Sequence, residues 1–100
     1  MHPLTPAEIS DALATLPGWA HRDGALHRAW RFDSFRSAMA FMSAAAPDID
    51  RLDHHPEWSN VYDRVEARLT THEAAHLVTA RDVELARLLE SHALRFSAWV

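Results

Sequence analysis

Histidine is the residue whose number and placement suggest chemistry. The chain holds eight in 100 residues, and two are adjacent in Asp50-Arg51-Leu52-Asp53-His54-His55-Pro56-Glu57-Trp58. Imidazole exchanges its proton near neutral pH, which suits general acid–base work there. Carboxylates at 50, 53 and 57 flank the pair and favour its protonated form, as does the end of any helix that stops there. Pro56 stiffens the exit path, so both rings would sit on fixed backbone. A third histidine, His72, follows Thr70-Thr71. Three readings fit these residues: solvated or structural histidines in a His-rich chain, a metal site, or metal-free acid–base catalysis. Adjacent histidines rarely point at one ion, and neither an HExxH nor a cysteine-based zinc spacing is present. Spacing alone does not lift catalysis above the structural reading. His2, His21, His27, His76 and His92 are scattered and are expected to be mostly solvated. His76 alone merits suspicion, because it lies four residues from His72.

Composition narrows the function classes. A net charge of −4 argues against general nucleic-acid binding, which needs a positive surface to displace counterions. The ten cationic residues are all arginine. Cysteine is absent, so neither disulfides nor thiol chemistry enter. No apolar run approaches the ~20 residues that span a membrane. Met1-His2-Pro3-Leu4 has neither the basic patch nor the apolar stretch of a signal peptide. The expectation is a cytoplasmic protein forming one domain over residues 1–100, with a modest core.

The elements that must position the histidines can be read from caps and periodicity. Thr5, Pro6 and Glu8 form a capping box with proline at the first helical position. Ile9, Leu13 and Leu16 then fall on one side until Pro17-Gly18. Asp23-Gly24 suits the turn of a hairpin between Trp19–Arg22 and Ala25–Phe32. Leu26, Trp30 and Phe32 share one face of the second strand, interrupted by Arg28. Asp33 or Ser34 can cap a second helix, along which Phe35, Met39, Met42, Ala46 and Ile49 recur at helical spacing. Pro47 lies inside this pattern and predicts a kink or a split. The helix must stop at His54-His55-Pro56, since a residue before proline is pushed out of the helical region.

Beyond Trp58 the period becomes two. Val65, Ala67 and Leu69 alternate with Glu66, Arg68 and Thr70, and residues 60–64 supply a turn. If the strand runs unbroken to His72, parity puts that ring on the polar face with Arg68 and Thr70. Thr79, with Asp82 three residues on, caps a last helix whose apolar stripe is Val83, Ala86, Leu89, Ala93 and Phe96. The predicted fold is α+β: a four-stranded antiparallel sheet with three helices on one face, in the order α-β-β-α-β-β-α. Its open face and edges, in a chain with four tryptophans, predict self-association.

The spaced set Asp50, His54-His55-Pro56, Tyr62, His72 and Asp82 resembles the signature of the pterin-4a-carbinolamine dehydratases. The words Leu52 to Trp58, Asn60-Val61-Tyr62 and Leu69-Thr70-Thr71-His72 are similar to that family as well, and weaker likeness covers most of the chain. The resemblance implies loss of water from 4a-hydroxytetrahydropterin to give quinonoid dihydropterin, in the recycling of the pterin used by aromatic amino acid hydroxylases. It implies His54 and His72 as an acid–base pair and His55 as an assisting group. Asp50, Asp53 and Asp82 would bind pterin nitrogens or hold the histidines. Trp58 would form an apolar wall or else pack in the core, Thr70 and Thr71 would line the site, and Tyr62 would be structural. No metal or bound cofactor is implied, and the assembly would be a homodimer or homotetramer. The alternative is a non-catalytic pterin-binding or dimerisation module, a role that some relatives play. This chain departs from the family pattern at Pro47, at Asp50 where glutamate is common, and between Glu73 and Asp82. There the family carries a glycine and one residue fewer.

Overall fold

The computed structural model describes residues 2–96; Met1 and the last four residues, Trp99 among them, lie outside. The first helix, α1 (Pro6–Leu13), carries the full reciprocal cap. The Thr5 hydroxyl accepts the Glu8 N–H at 3.2 Å, and the Glu8 carboxylate accepts the Thr5 N–H at 2.8 Å. The helix ends four residues before Pro17, and Leu16 reaches the core from the following turn. Strands β1 (Ala20–Arg22) and β2 (Ala25–Arg31) are joined through Asp23 and Gly24. Both have positive φ, 52° and 76°, as a tight hairpin of matching twist requires.

The second hairpin is β3 (Glu57–Val61) and β4 (Arg64–Leu69). Tyr62 stands at its tip, exposed and at φ 52°, and the Asn60 amide clips the turn by donating to the Tyr62 and Arg64 carbonyls. The strands form one antiparallel sheet in the order β1-β2-β4-β3. The register sets Leu26 beside Leu69 and Trp30 beside Val65, so the apolar sides of the two inner strands coincide. Helices α1, α2 (Phe35–Leu52) and α3 (Ala80–Arg95) cover that side, giving the α+β fold in the predicted order. Its centre is aromatic. Phe41 of α2 stacks on Phe32 at 5.1 Å and meets Trp30 at 5.0 Å, and all three are essentially buried.

Arg28, which interrupts the apolar face of β2, points inward and is satisfied there. Its guanidinium donates to Glu90 of α3 at 2.6 Å. The Trp19 and Trp30 indoles donate to the same carboxylate oxygen.

Helix α2 removes one of the two alternatives at Pro47 and departs from expectation in its buried stripe. It runs through Pro47 as a single element rather than splitting. Proline there forfeits one bond, to the Ser43 carbonyl, while Ile49 beyond it remains anchored in the core. The buried stripe is Ala38, Phe41, Ala45 and Ile49, so the spacing from Phe35 through Met39 marks a different face. Phe35 and Met39 are 50% and 40% exposed. The helix is apolar on two sides, and the expected stripe reaches the core only at Ile49 and, in part, at Met42. Ser34, not Asp33, is its cap, accepting the Ser37 N–H at 3.1 Å.

The last helix opens on a second complete capping box, Thr79 with Asp82. Its buried side includes Leu85, Ala86, Leu89 and Ala93, and also His92, which was expected to be solvated. His92 is drawn inside by a 2.7 Å bond to Asp48 of α2. No helix among the described residues is long and apolar enough to cross a membrane.

Candidate active site

The site is organised by one buried carboxylate. Asp82, at the third position of α3, is fully buried. One oxygen, Oδ2, accepts the Thr79 N–H at 2.9 Å, which completes the helix cap, and the Thr71 hydroxyl at 2.8 Å. The other, Oδ1, lies 2.6 Å from His54 Nε2. The Thr71 and Thr79 hydroxyls are 2.7 Å apart, and Thr79 Oγ1 also accepts the Arg81 N–H. With Thr71 donating to Asp82, Thr79 donates to Thr71, and both hydroxyl protons have an acceptor. His54 is then the donor to Asp82 through Nε2–H. That bond fixes its ring orientation and directs its Nδ1 edge away from the aspartate.

His54 owes its place to the end of α2. Asp53 ends the helix at φ 54°, the left-handed conformation that turns the chain sharply. The Arg81 guanidinium donates to the Leu52 and Asp53 carbonyls at 3.2 and 2.7 Å, satisfying groups that a helix terminus leaves orphaned. This clip ties the end of α2 to the start of α3 and so holds His54 over Asp82. Arg81 was missed in the sequence, where only its neighbours Thr79 and Asp82 carried a signal, the capping box.

His55 points outward. Its ring is exposed, and its Nε2 lies 2.9 Å from Asp50 Oδ1, one turn back on α2. The two adjacent histidines thus have a carboxylate each, one buried and one in solvent.

His72 is reached differently from the unbroken strand expected. Strand β4 stops at Leu69, Thr71 forms an isolated bridge with Leu77, and residues 72–74 make one turn of 3-10 helix. The alternation of sides still holds: Thr71 is fully buried and His72 exposed. Because Thr71 bonds to Asp82, the segment carrying His72 and the ring of His54 are tied to the same side chain. The exposed Glu73 carboxyl reports the same proximity. It is held below the usual glutamate value first by its own backbone N–H, and further by the charges of Arg81, His72 and His54. The His72 ring meets His76, with Nδ1 and Nε2 3.2 Å apart.

The remaining residues take distinct places. Trp58, half-buried on the outer strand β3, packs edge-on to Phe41 at 6.0 Å, so its inner side belongs to the core. Thr70, two residues before His72 in the sequence, is partly exposed. The two largest surface depressions described, of about 370 and 320 Å³, share His27, Glu66 and Ala67, and the three histidines line neither. Among the described residues no group of three or more histidines and carboxylates is placed to hold a metal ion.

The comparisons agree on kinship. The family model described as pterin 4 alpha carbinolamine dehydratase matches residues 2–92. A protein of Opitutus terrae, provisionally named pterin-4-alpha-carbinolamine dehydratase, is 56% identical over 87 residues, covering 87% of this chain and 90% of that protein. One of Novosphingobium aromaticivorans with the same provisional name is 52% identical over 90 residues, 88% of this chain and 93% of its own. A crystal structure from Brucella melitensis, described as a transcriptional coactivator/pterin dehydratase, superposes with a TM-score of 0.86 at 41% identity, covering 91% of this chain and 98% of that one. The chain belongs to the pterin 4 alpha carbinolamine dehydratase family.

Proposed function

We propose that this protein dehydrates a 4a-hydroxytetrahydropterin to the quinonoid dihydropterin by histidine acid–base catalysis, in the recycling of pterin for aromatic hydroxylation. The observation that carries the reading is the shared tether: His54 and the Thr71–His72 segment are both bound to Asp82. The reaction needs one proton delivered to the departing hydroxyl and one removed from the neighbouring ring nitrogen as the double bond forms. No net proton is consumed, so two imidazoles in opposite protonation states suffice. His54, protonated at both nitrogens, donates from Nδ1 while Asp82 stabilises its charge. His72 accepts through Nε2, and the two exchange roles through solvent before the next turnover.

Asp82 and Thr71 hold this arrangement from behind, being fully buried. Asp50, Asp53 and Thr70, with the exposed side of Trp58, are the proposed contacts for the flat pterin, and His55 assists under the orientation Asp50 gives it. The substrate itself is the spent cofactor, so the scheme calls on no other group. Self-association as a homodimer or homotetramer is part of the proposal, supported by the exposed Phe35 and Met39 on α2.

The test is acceleration of 4a-carbinolamine breakdown by the purified protein. Replacing His54 or His72 by alanine should cost about 10²- to 10⁴-fold in rate, the usual range for a general acid or base. A wild-type rate in either variant removes that residue from the mechanism. A second reading, a non-catalytic pterin-binding or regulatory module, draws on the coactivator description of the Brucella melitensis structure. It predicts quenching of tryptophan fluorescence by a dihydropterin analogue with no acceleration at all.

A further inference from the structure

We propose that His76 is a positioning residue for His72, forming with it an imidazole pair that fixes the tautomer His72 presents to substrate. This rests on the dehydratase reading above and adds a residue to it. His76 Nε2 lies 3.2 Å from His72 Nδ1, and the rings meet at 73° with centroids 4.7 Å apart. Both nitrogens lie within bonding reach, so one donates and the other accepts.

The loop that brings His76 there is strained and firmly pinned. Ala75 and His76 have φ of 58° and 60°, left-handed values that a residue with a Cβ adopts at a cost. The His76 N–H donates to the Thr71 carbonyl at 3.0 Å, and the Thr71 N–H donates to the Leu77 carbonyl at 2.9 Å. Since Thr71 also bonds to Asp82, the network that holds His54 also sets the backbone under His76. A glycine would sit in this stretch without strain. This chain instead places an imidazole against the ring proposed as the base.

The chemistry follows from the direction of the bond. When His76 Nε2 is the acceptor, His72 carries its proton on Nδ1 and presents a bare Nε2 to the pterin. On taking the ring-nitrogen proton, the His72 imidazolium keeps its Nδ1–H bond to His76, now charge-assisted and stronger. Two imidazoliums cannot share such a bond, so protonation of His76 turns the device off. The nearby carboxylate is Glu73 on the same turn, on which Arg81, His72 and His54 act electrostatically.

Two variants test this. His76→Gly removes the ring and relaxes its backbone; Ala75→Gly relaxes the backbone and keeps the ring. Long-range ¹H–¹⁵N spectra should show His72 losing its Nδ1–H tautomer preference in His76→Gly and keeping it in Ala75→Gly. For His76→Gly, kcat should fall about tenfold with KM within twofold, and the acidic limb of the kcat profile should move. Ala75→Gly should match the wild type in all three. An unchanged His72 tautomer and titration in His76→Gly overturn the pairing. If the wild type fails to accelerate dehydration, the functional reading fails, while the spectra still decide whether the pair exists.

Discussion

His54 Nε2 and Asp82 Oδ1 are 2.6 Å apart in the interior, although the two residues are 28 positions apart in the chain. Asp82 is also the reciprocal cap of α3 through its other oxygen. One side chain therefore performs a folding task and an orienting task at once.

Asp82→Asn separates those tasks. An amide keeps the shape and still accepts the Thr79 N–H through its oxygen, but it cannot also stabilise an imidazolium at His54. We expect dehydration to slow by roughly a hundredfold, the low end of what acid–base groups supply. Stability should fall by about 1–3 kcal/mol, the usual range for a buried polar group left without its partner. Single-turnover rates and urea melts on the same protein measure the two effects; a normal rate in a folded variant would free His54 from any need of Asp82.

Asp50→Asn should behave in the opposite proportion. The Asp50 and His55 side chains are 79% and 58% exposed, so their bond is screened by water. Exposed pairs contribute about 0–1 kcal/mol. The expected result is a melting curve near wild type and a raised KM for the pterin. Loss of stability comparable to that of Asp82→Asn would mean the exposed pair has a structural role that its solvation argues against.

These contrasts mark what the sequence could and could not convey. Capping boxes are written in neighbouring residues, so Thr5 with Glu8 and Thr79 with Asp82 were legible, as was the Asp23-Gly24 hairpin. The alternation of Val65, Ala67 and Leu69 gave the inner strand its face. Helix α2 was harder because apolar residues line two of its sides, and only the sheet decides which is buried. The His54–Asp82 bond, the Arg81 clip and the inward Arg28–Glu90 pair join residues far apart in the chain, and no local period encodes such contacts. The turn at His72 was hidden because burial alternates through Thr71 as it would in a strand, although the pairing has already changed.

Glu90→Gln tests the other buried polar centre. Trp19, Arg28 and Trp30 all donate to Glu90 Oε1, at 2.8, 2.6 and 3.1 Å, and the Arg28 side chain is only 13% exposed. A neutral amide leaves that guanidinium without its countercharge. We expect a loss of about 1–3 kcal/mol in stability and altered tryptophan emission, with kcat of the folded protein unchanged. Gly18→Ala should disturb the same centre from above. Gly18 sits at φ 90°, and a Cβ there would stand 2.7 Å from Arg28 Cζ. If Glu90→Gln melts as the wild type does, the three bonds contribute nothing net.

Asp48 supplies a pH dependence whose sign can be stated. Its carboxyl is held below the ordinary aspartate value of 3.8, first by the bond to His92 and then by the bond to Arg51, with burial opposing. A carboxyl whose folded value is depressed adds stability that is fully present above its unfolded value, about pH 4, and lost as pH falls through the lower folded one. Asp48→Asn should therefore lower the urea midpoint at pH 7, and its gap from the wild type should be smaller near pH 2, closer to the lowered folded value of the carboxyl. The comparison is between the two midpoints at each pH, so acid destabilisation from other carboxylates cancels. A gap of equal size at both pH values would assign the effect of the substitution to packing between α2 and α3 rather than to the charge that Asp48 shares with His92.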